Sequence, residues 1–245
     1  MTDFKEAREW MVEWQIERRG IGNPRVLAAM RRVPREEFVA ADLRQYAYED
    51  TPLPIGNEQT ISQPAMVASM IDAAELSPGD RVLDVGTGSG YAAAVAAAIA
   101  AHVHSIERHA GLVDTAREIL ARLGIANVTV HLGDGTLGLA EYAPFDAIIA
   151  AAGGPRVPDA WCKQLALGGR IVMPVGRDQH YQRLIKVVRR TEADFDRSWL
   201  GDVRFVPLVG EDGWPEQDGE PRNAGSGICH GRLGAIARAA CIGCG

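Results

Sequence analysis

Arg81-Val82-Leu83-Asp84-Val85 runs directly into Gly86-Thr87-Gly88-Ser89-Gly90-Tyr91. The first five residues form a short apolar run bounded by glycine, the pattern of a buried strand. The glycines at 86, 88 and 90 make a turn whose missing side chains let a ligand approach the backbone, and Tyr91 opens an apolar helical segment. A strand that enters a helix through such a turn is the first half of a βαβ unit.

Downstream the alternation continues. Periodicity predicts a helix over 91–101, a strand over 103–106, a helix over 112–123 and strands over 127–131, 145–150 and 170–175, with a helix over 158–165 before the last. Late strands follow over 181–188 and 202–208. Repeated units of this kind make an α/β fold, a doubly wound and mostly parallel sheet with helices on both faces. Right-handed crossovers then place ligand sites at the carboxyl ends of the strands. The alanine-rich stretch 92–98 reads as packing, because small side chains let a helix lie close to the sheet.

Upstream, residues 4–19 place Phe4, Ala7, Met11 and Trp14 on one helical face and stop at Gly20. A second helix is expected over 24–32, with Pro24 at an early position and Val26, Leu27 and Met30 as its apolar side. Two prolines and a glycine in residues 49–57 predict an irregular loop, a common carrier of function. The chain therefore divides into N-terminal helices and a substrate-side loop over 1–62, a ligand-binding core over 63–215 and a tail over 216–245.

The glycine spacing decides between ligands. A dinucleotide fingerprint reads G-x-G-x-x-G, whereas here the glycines alternate and Asp84 stands two positions before the first. A sulfonium nucleoside carries an ammonium group and a positive sulfur, to which a nearby carboxylate is the better complement. Glu107 ends the second strand, where it can accept hydrogen bonds from both ribose hydroxyls. Gly133-Asp134-Gly135 follows the third, where Asp134 can bond an adenine amino group. Three acidic residues at the tips of three successive strands point to a nucleoside-bearing cofactor held by Asp84, Gly86, Thr87, Gly88, Ser89, Gly90, Glu107, Asp134 and Gly135.

Composition narrows the partners. A formal charge of −6 supplies no general attraction to a phosphate backbone or an anionic membrane. The longest apolar run, over 92–101, is shorter than the roughly 20 residues a spanning helix needs. Charges at Asp3, Lys5 and Glu6 fall where a signal peptide needs an apolar core, and the four cysteines form no disulfide framework, so a cytoplasmic location is expected. Cys229, His230, Cys241 and Cys244 follow a stretch, 216–225, rich in Gly, Pro and charge; they read as part of a tail, and no metal site is expected. His102, His104 and His109 read as surface or cap positions.

The segments over 32–39, 59–64, 82–91, 133–135, 143–149 and 205–208 resemble, in the same order, the protein-L-isoaspartate O-methyltransferases. Thr60-Ile61-Ser62-Gln63-Pro64 separates that family from methyltransferases in general. The resemblance covers about residues 5 to 214 and implies a seven-stranded methyltransferase sheet with an N-terminal helical cap. It further implies S-adenosylmethionine as cofactor and, as partner, a polypeptide carrying an L-isoaspartyl residue. Beside it, from the charge and the short apolar runs, a monomer without nucleic acid or membrane is expected. Many relatives have Tyr after the Gln-Pro, where this chain has Ala65, which bears on peptide preference.

Methyl transfer from a sulfonium to a carboxylate is an in-line displacement by a nucleophile already ionised at neutral pH, so it needs placement rather than a base. The Ser62 hydroxyl can fix one carboxylate oxygen and leave the other to attack, with Thr60 assisting. Ser62 can equally be the N-cap of a helix starting at Pro64. Two other functions stay open: methyl transfer to a small molecule or RNA, and a catalytically silent adaptor that keeps the cofactor fold.

Overall fold

Asp3 starts the first helix, α1 (Phe4–Trp10), by accepting hydrogen bonds from the N–H groups of Lys5 and Glu6. The computed structural model describes residues 3–178 and 181–216. Beyond Trp10 the helical course widens into a π-helical segment, Met11–Ile16, tightens into a 3-10 turn, Glu17–Arg19, and ends at Gly20 with φ 97°. The regular helix expected over 4–19 is thus corrected: i→i+5 bonding shifts the register. Met11, Val12, Gln15 and Ile16 turn inward, and Trp14 swings out to stack on Trp10 with ring centres 6.4 Å apart. The second helix, α2 (Pro24–Arg32), has its expected bounds, with Asn23 accepting from the Arg25 N–H and Val26, Leu27, Ala29 and Met30 buried.

The loop expected over 49–57 is in its second half a hairpin. β1 (Leu53–Gly56) pairs antiparallel with β2 (Gln59–Ile61) around Asn57 and Glu58, both at positive φ (49° and 58°). Pro54 is compatible with this ribbon because a two-stranded sheet has an unpaired side on each strand, where a missing N–H costs nothing.

After α3 (Pro64–Ala73) the strands are β3 (Arg81–Val85), β4 (His102–Glu107), β5 (Val128–Leu132), β6 (Phe145–Ala150), β7 (Leu165–Gly176), β8 (Gln182–Arg189) and β9 (Phe195–Val203). Between them lie α4 (Tyr91–Ala97), α5 (Ala110–Arg122) and α6 (Asp159–Gln164). The sheet order is β5-β4-β3-β6-β7-β8-β9, parallel from β5 to β7 and antiparallel at β8 and β9. The expected doubly wound arrangement is therefore present. Its direction reverses between β3 and β6, so the crevice lies beyond Val85 and Ala150.

The alanines of α4 are buried as expected, and Gly90 lies against Ala116 and Leu120 of α5. One strand expectation fails. The last strand is 195–203, an exposed edge with little alternation, while 205–208 is irregular chain that crosses the carboxyl end of the sheet through Gly153 N–H to the Val206 carbonyl and Leu208 N–H to the Gly153 carbonyl. Leu208 is buried against the sheet end, which explains the apolar signal there. Among the described residues no helix is long and apolar enough to cross a membrane.

Candidate active site

Two adjoining cavities open at the carboxyl ends of the parallel strands. The smaller, about 330 Å³, is lined by Val85 at the end of β3 and Gly86 after it, Ile106 and Glu107 at the end of β4, and the hairpin tip Asn57-Glu58. Gly86, Gly88 and Gly90 hold φ of 89°, 53° and 92°, a backbone conformation that side chains penalise. A Cβ added at Gly135 would stand 2.5 Å from Val85 Cγ1, so this turn too requires glycine.

Glu107 lines the cavity while its carboxylate organises the backbone around it. Oε2 accepts from the Gly88 N–H at 3.0 Å, and Oε1 accepts from the N–H groups of Arg108 (2.9 Å) and His109 (3.0 Å). Below the glycine turn, Ser105 Oγ donates to Asp84 Oδ2 at 2.6 Å and pairs with Thr87 Oγ1. Burial pushes the Asp84 carboxyl up to about 7; the Ser105 hydrogen bond opposes the rise and the Glu107 charge adds to it. Gly86, Gly88, Glu107 and Gly135 meet at the cavity wall, whereas Asp84, Thr87, Ser89 and Gly90 form the layer behind it. Asp134 lies to one side: Oδ1 accepts from Thr136 N–H and Oγ1, and Oδ2 from Glu211 N–H.

The larger cavity, about 1100 Å³, contains Thr60, Ser62, Gln63 and Met66 on one side and Arg183, Asp202 and Arg204 on the other. Thr60, Ala151, Val206 and Pro207 line both cavities, so the two are continuous. The cap expected of Ser62 is corrected. Gln63 is the N-cap of α3 and makes no side-chain cap bond, while the Ala65 N–H is satisfied by Asp50 Oδ1 at 3.2 Å. Among the described residues the Ser62 hydroxyl makes no hydrogen bond.

Several lining residues escaped the sequence reading. Ala151 follows a strand end without polar chemistry to mark it, and Val206, Pro207 and Leu208 fall in the stretch, 202–208, expected as a strand. Asp50, which lines neither cavity, lies in the loop expected over 49–57, and only the fold brings it to α3. His104 is a further correction. It is buried rather than superficial, stacked on Tyr142 at 4.2 Å, with Nδ1 3.2 Å from His131 Nε2. Burial pulls its pKa down to about 4, with His102 and His131 adding to the fall. His109 borders the smaller cavity. Among the described residues no three or more His, Cys, Asp or Glu side chains are arranged to hold a metal; Cys229, His230, Cys241 and Cys244 lie outside the described residues, as does all of the expected tail beyond Glu216.

Comparison with known proteins adds to this geometry. The family model described as Protein-L-isoaspartate(D-aspartate) O-methyltransferase (PCMT) matches residues 6–213. Protein-L-isoaspartate O-methyltransferase 1 of Rhodopseudomonas palustris (strain HaA2) is 55% identical over 221 residues, 90% of each chain. Protein-L-isoaspartate O-methyltransferase 2 of Marinobacter nauticus is 54% identical over 213 residues, 87% of this chain and 97% of its own. A solved protein-L-isoaspartate O-methyltransferase superposes with a TM-score of 0.76 at 30% identity, covering 85% of this chain and 67% of that one. The beta-aspartate methyltransferase of Plasmodium falciparum, in complex with S-adenosyl-L-homocysteine, superposes at 0.71 with 28% identity, covering 82% and 98%.

Proposed function

Because the chain belongs to the protein-L-isoaspartate(D-aspartate) O-methyltransferase family, we propose which of its residues carry that family's reaction. It is an S-adenosylmethionine-dependent methyltransferase that esterifies the carboxylate of L-isoaspartyl residues in damaged proteins and so initiates their repair. The observation that carries the assignment of residues is the continuity of the two cavities at Thr60 and Ala151, with Ser62 on the larger side and Glu107 on the smaller.

The smaller cavity suits the cofactor. Gly86, Gly88 and Gly135 let it approach the backbone, and the Glu107 carboxylate, which lines the cavity, accepts from its ribose hydroxyls. Asp84, behind the turn, supplies negative potential for the cationic end, and Thr87, Ser89 and Gly90 hold the turn in shape. Asp134 accepts three bonds from the protein and keeps capacity for one more, from the adenine amino group. When bound, S-adenosylmethionine supplies an electrophilic methyl group on a positive sulfur.

The remaining work is placement. An isoaspartyl carboxylate is ionised at neutral pH and needs no base. The Ser62 hydroxyl donates to one carboxylate oxygen and leaves the other directed along the cleft, with Thr60 assisting where the cavities join. Holding two reactants in line contributes about 7–11 kcal/mol in favourable intramolecular models. In the same reading, residues 1–62 together with Arg183, Asp202 and Arg204 across the larger cavity serve the substrate side and the rest of 63–215 chiefly the cofactor, and the enzyme acts as a cytoplasmic monomer without nucleic acid or membrane, in keeping with its net charge of −6.

Transfer of labelled methyl to two peptides differing only in Asp or isoAsp tests the acceptor. Label on the isoaspartyl peptide alone is expected; equal labelling of both would exclude it.

A further inference from the structure

Asp50 makes three contacts, two of them at the start of α3. Its Oδ1 accepts from the Ala65 N–H at 3.2 Å, its main-chain carbonyl accepts from Gln63 Nε2 at 2.8 Å, and Oδ2 faces the Arg19 guanidinium at 2.5 Å. The Asp50 carboxylate is mostly buried. It comes from 15 residues before Ala65, across the hairpin, and so does the work ordinarily left to a cap residue next to the helix.

The residue so replaced is Ser62. A hydroxyl three residues ahead of an unpaired first-turn N–H is in the usual cap position to bond it. Ser62 stands in that relation to Ala65, and Pro64 between them has no N–H to offer. A serine used in that way turns its hydroxyl toward the helix and away from a cleft. Because Asp50 already satisfies Ala65, Ser62 is left without a competing backbone partner, and Gln63 beside it is tethered by the same residue.

We propose that Asp50 is a positioning residue for methyl transfer, capping α3 from a distance so that the Ser62 hydroxyl stays available to the acceptor carboxylate. This rests on the role given to Ser62 above. Without Asp50, Ser62 takes over the Ala65 N–H and is withdrawn from the substrate. The Arg19 contact is secondary, since Arg19 is largely exposed and a pair of that kind contributes little.

A double-mutant cycle on the full chain separates the possibilities, with kcat and KM for an isoaspartyl peptide, S-adenosylhomocysteine affinity and Tm measured for each variant. Asp50→Ala is expected to lower kcat about tenfold, in the direction of Ser62→Ala, and to leave S-adenosylhomocysteine affinity within twofold. Asp50→Asn, which keeps an oxygen for the Ala65 N–H, is expected to stay within threefold of the parent. In a Ser62→Ala background, Asp50→Ala is expected to change kcat/KM less than twofold. Independent, multiplying losses for Asp50→Ala and Ser62→Ala would overturn the proposal, as would an Asp50→Asn variant as impaired as Asp50→Ala. Parental activity in Ser62→Ala alone would instead remove the role of Ser62, and this proposal with it. If Asp50→Ala does not fold, Asp50→Glu, which keeps the charge but displaces the cap by one methylene, enters the same cycle with the same criteria and an intermediate fall in kcat expected.

Discussion

Glu107 Oε2 accepts a hydrogen bond from the Gly88 N–H at 3.0 Å, which locks the end of the second parallel strand to the glycine turn after the first. One carboxylate thereby both shapes the cofactor wall and faces the cavity. Glu107→Ala removes acceptors for two ribose hydroxyls and frees three backbone N–H groups. Charge-assisted bonds are worth about 1.5–3 kcal/mol each, so S-adenosylhomocysteine affinity should fall at least tenfold. Calorimetry measures this directly, and unchanged binding would remove Glu107 from the site.

Gly135→Ala should be costly for a different reason. The new Cβ would meet Val85 Cγ1 at 2.5 Å, in a strand end buried against its neighbours, and overpacking of this kind costs about 1–3 kcal/mol. A lower Tm together with weaker cofactor binding is the expected result. Gly22→Ala, where an added Cβ has nothing within 4 Å, is the control and should leave both unchanged.

Asp84 sets a pH dependence whose sign follows from its burial. Its folded pKa, about 7, lies above the ordinary carboxylate range, so the folded chain holds a proton that the unfolded chain has released. That contribution to stability is fully present below about pH 4 and is lost as pH rises toward 7, by at most about 1.4 kcal/mol per pH unit. Asp84→Asn cannot ionise and lacks this loss. Ligand-free Asp84→Asn should therefore gain stability relative to the parent between pH 5 and pH 7.5 in chemical denaturation, while binding S-adenosylmethionine less tightly at pH 7.5. A constant stability difference across that range would show that Asp84 titrates normally.

The fold was readable because β3 and β6 are short apolar runs set among helices of clear period, and because glycines 86, 88 and 90 mark the turn where the ligand rule places a site. Glu107 and Ser62 were legible as chemistry at strand and loop ends. What lay hidden depends on contacts distant in sequence. The cap on Ala65 comes from Asp50, so a local reading assigned it to Ser62. The inward turn of the Thr87 hydroxyl depends on Ser105 from the next strand. The exposed strand at 195–203 carries no buried face and so no alternation, whereas the apolar run at 205–208 owes its character to Gly153 and the sheet end.

The role of Ser62 is tested most directly by single-turnover transfer of labelled methyl to an isoaspartyl peptide, comparing the parent with Ser62→Ala. The hydroxyl lines the larger cavity and bonds nothing in the described protein, so its removal should leave Tm and S-adenosylhomocysteine affinity close to parental values. Loss of a positioning contact should slow transfer by about 10²-fold. A Ser62→Ala variant that methylates the peptide at the parental rate would contradict the account.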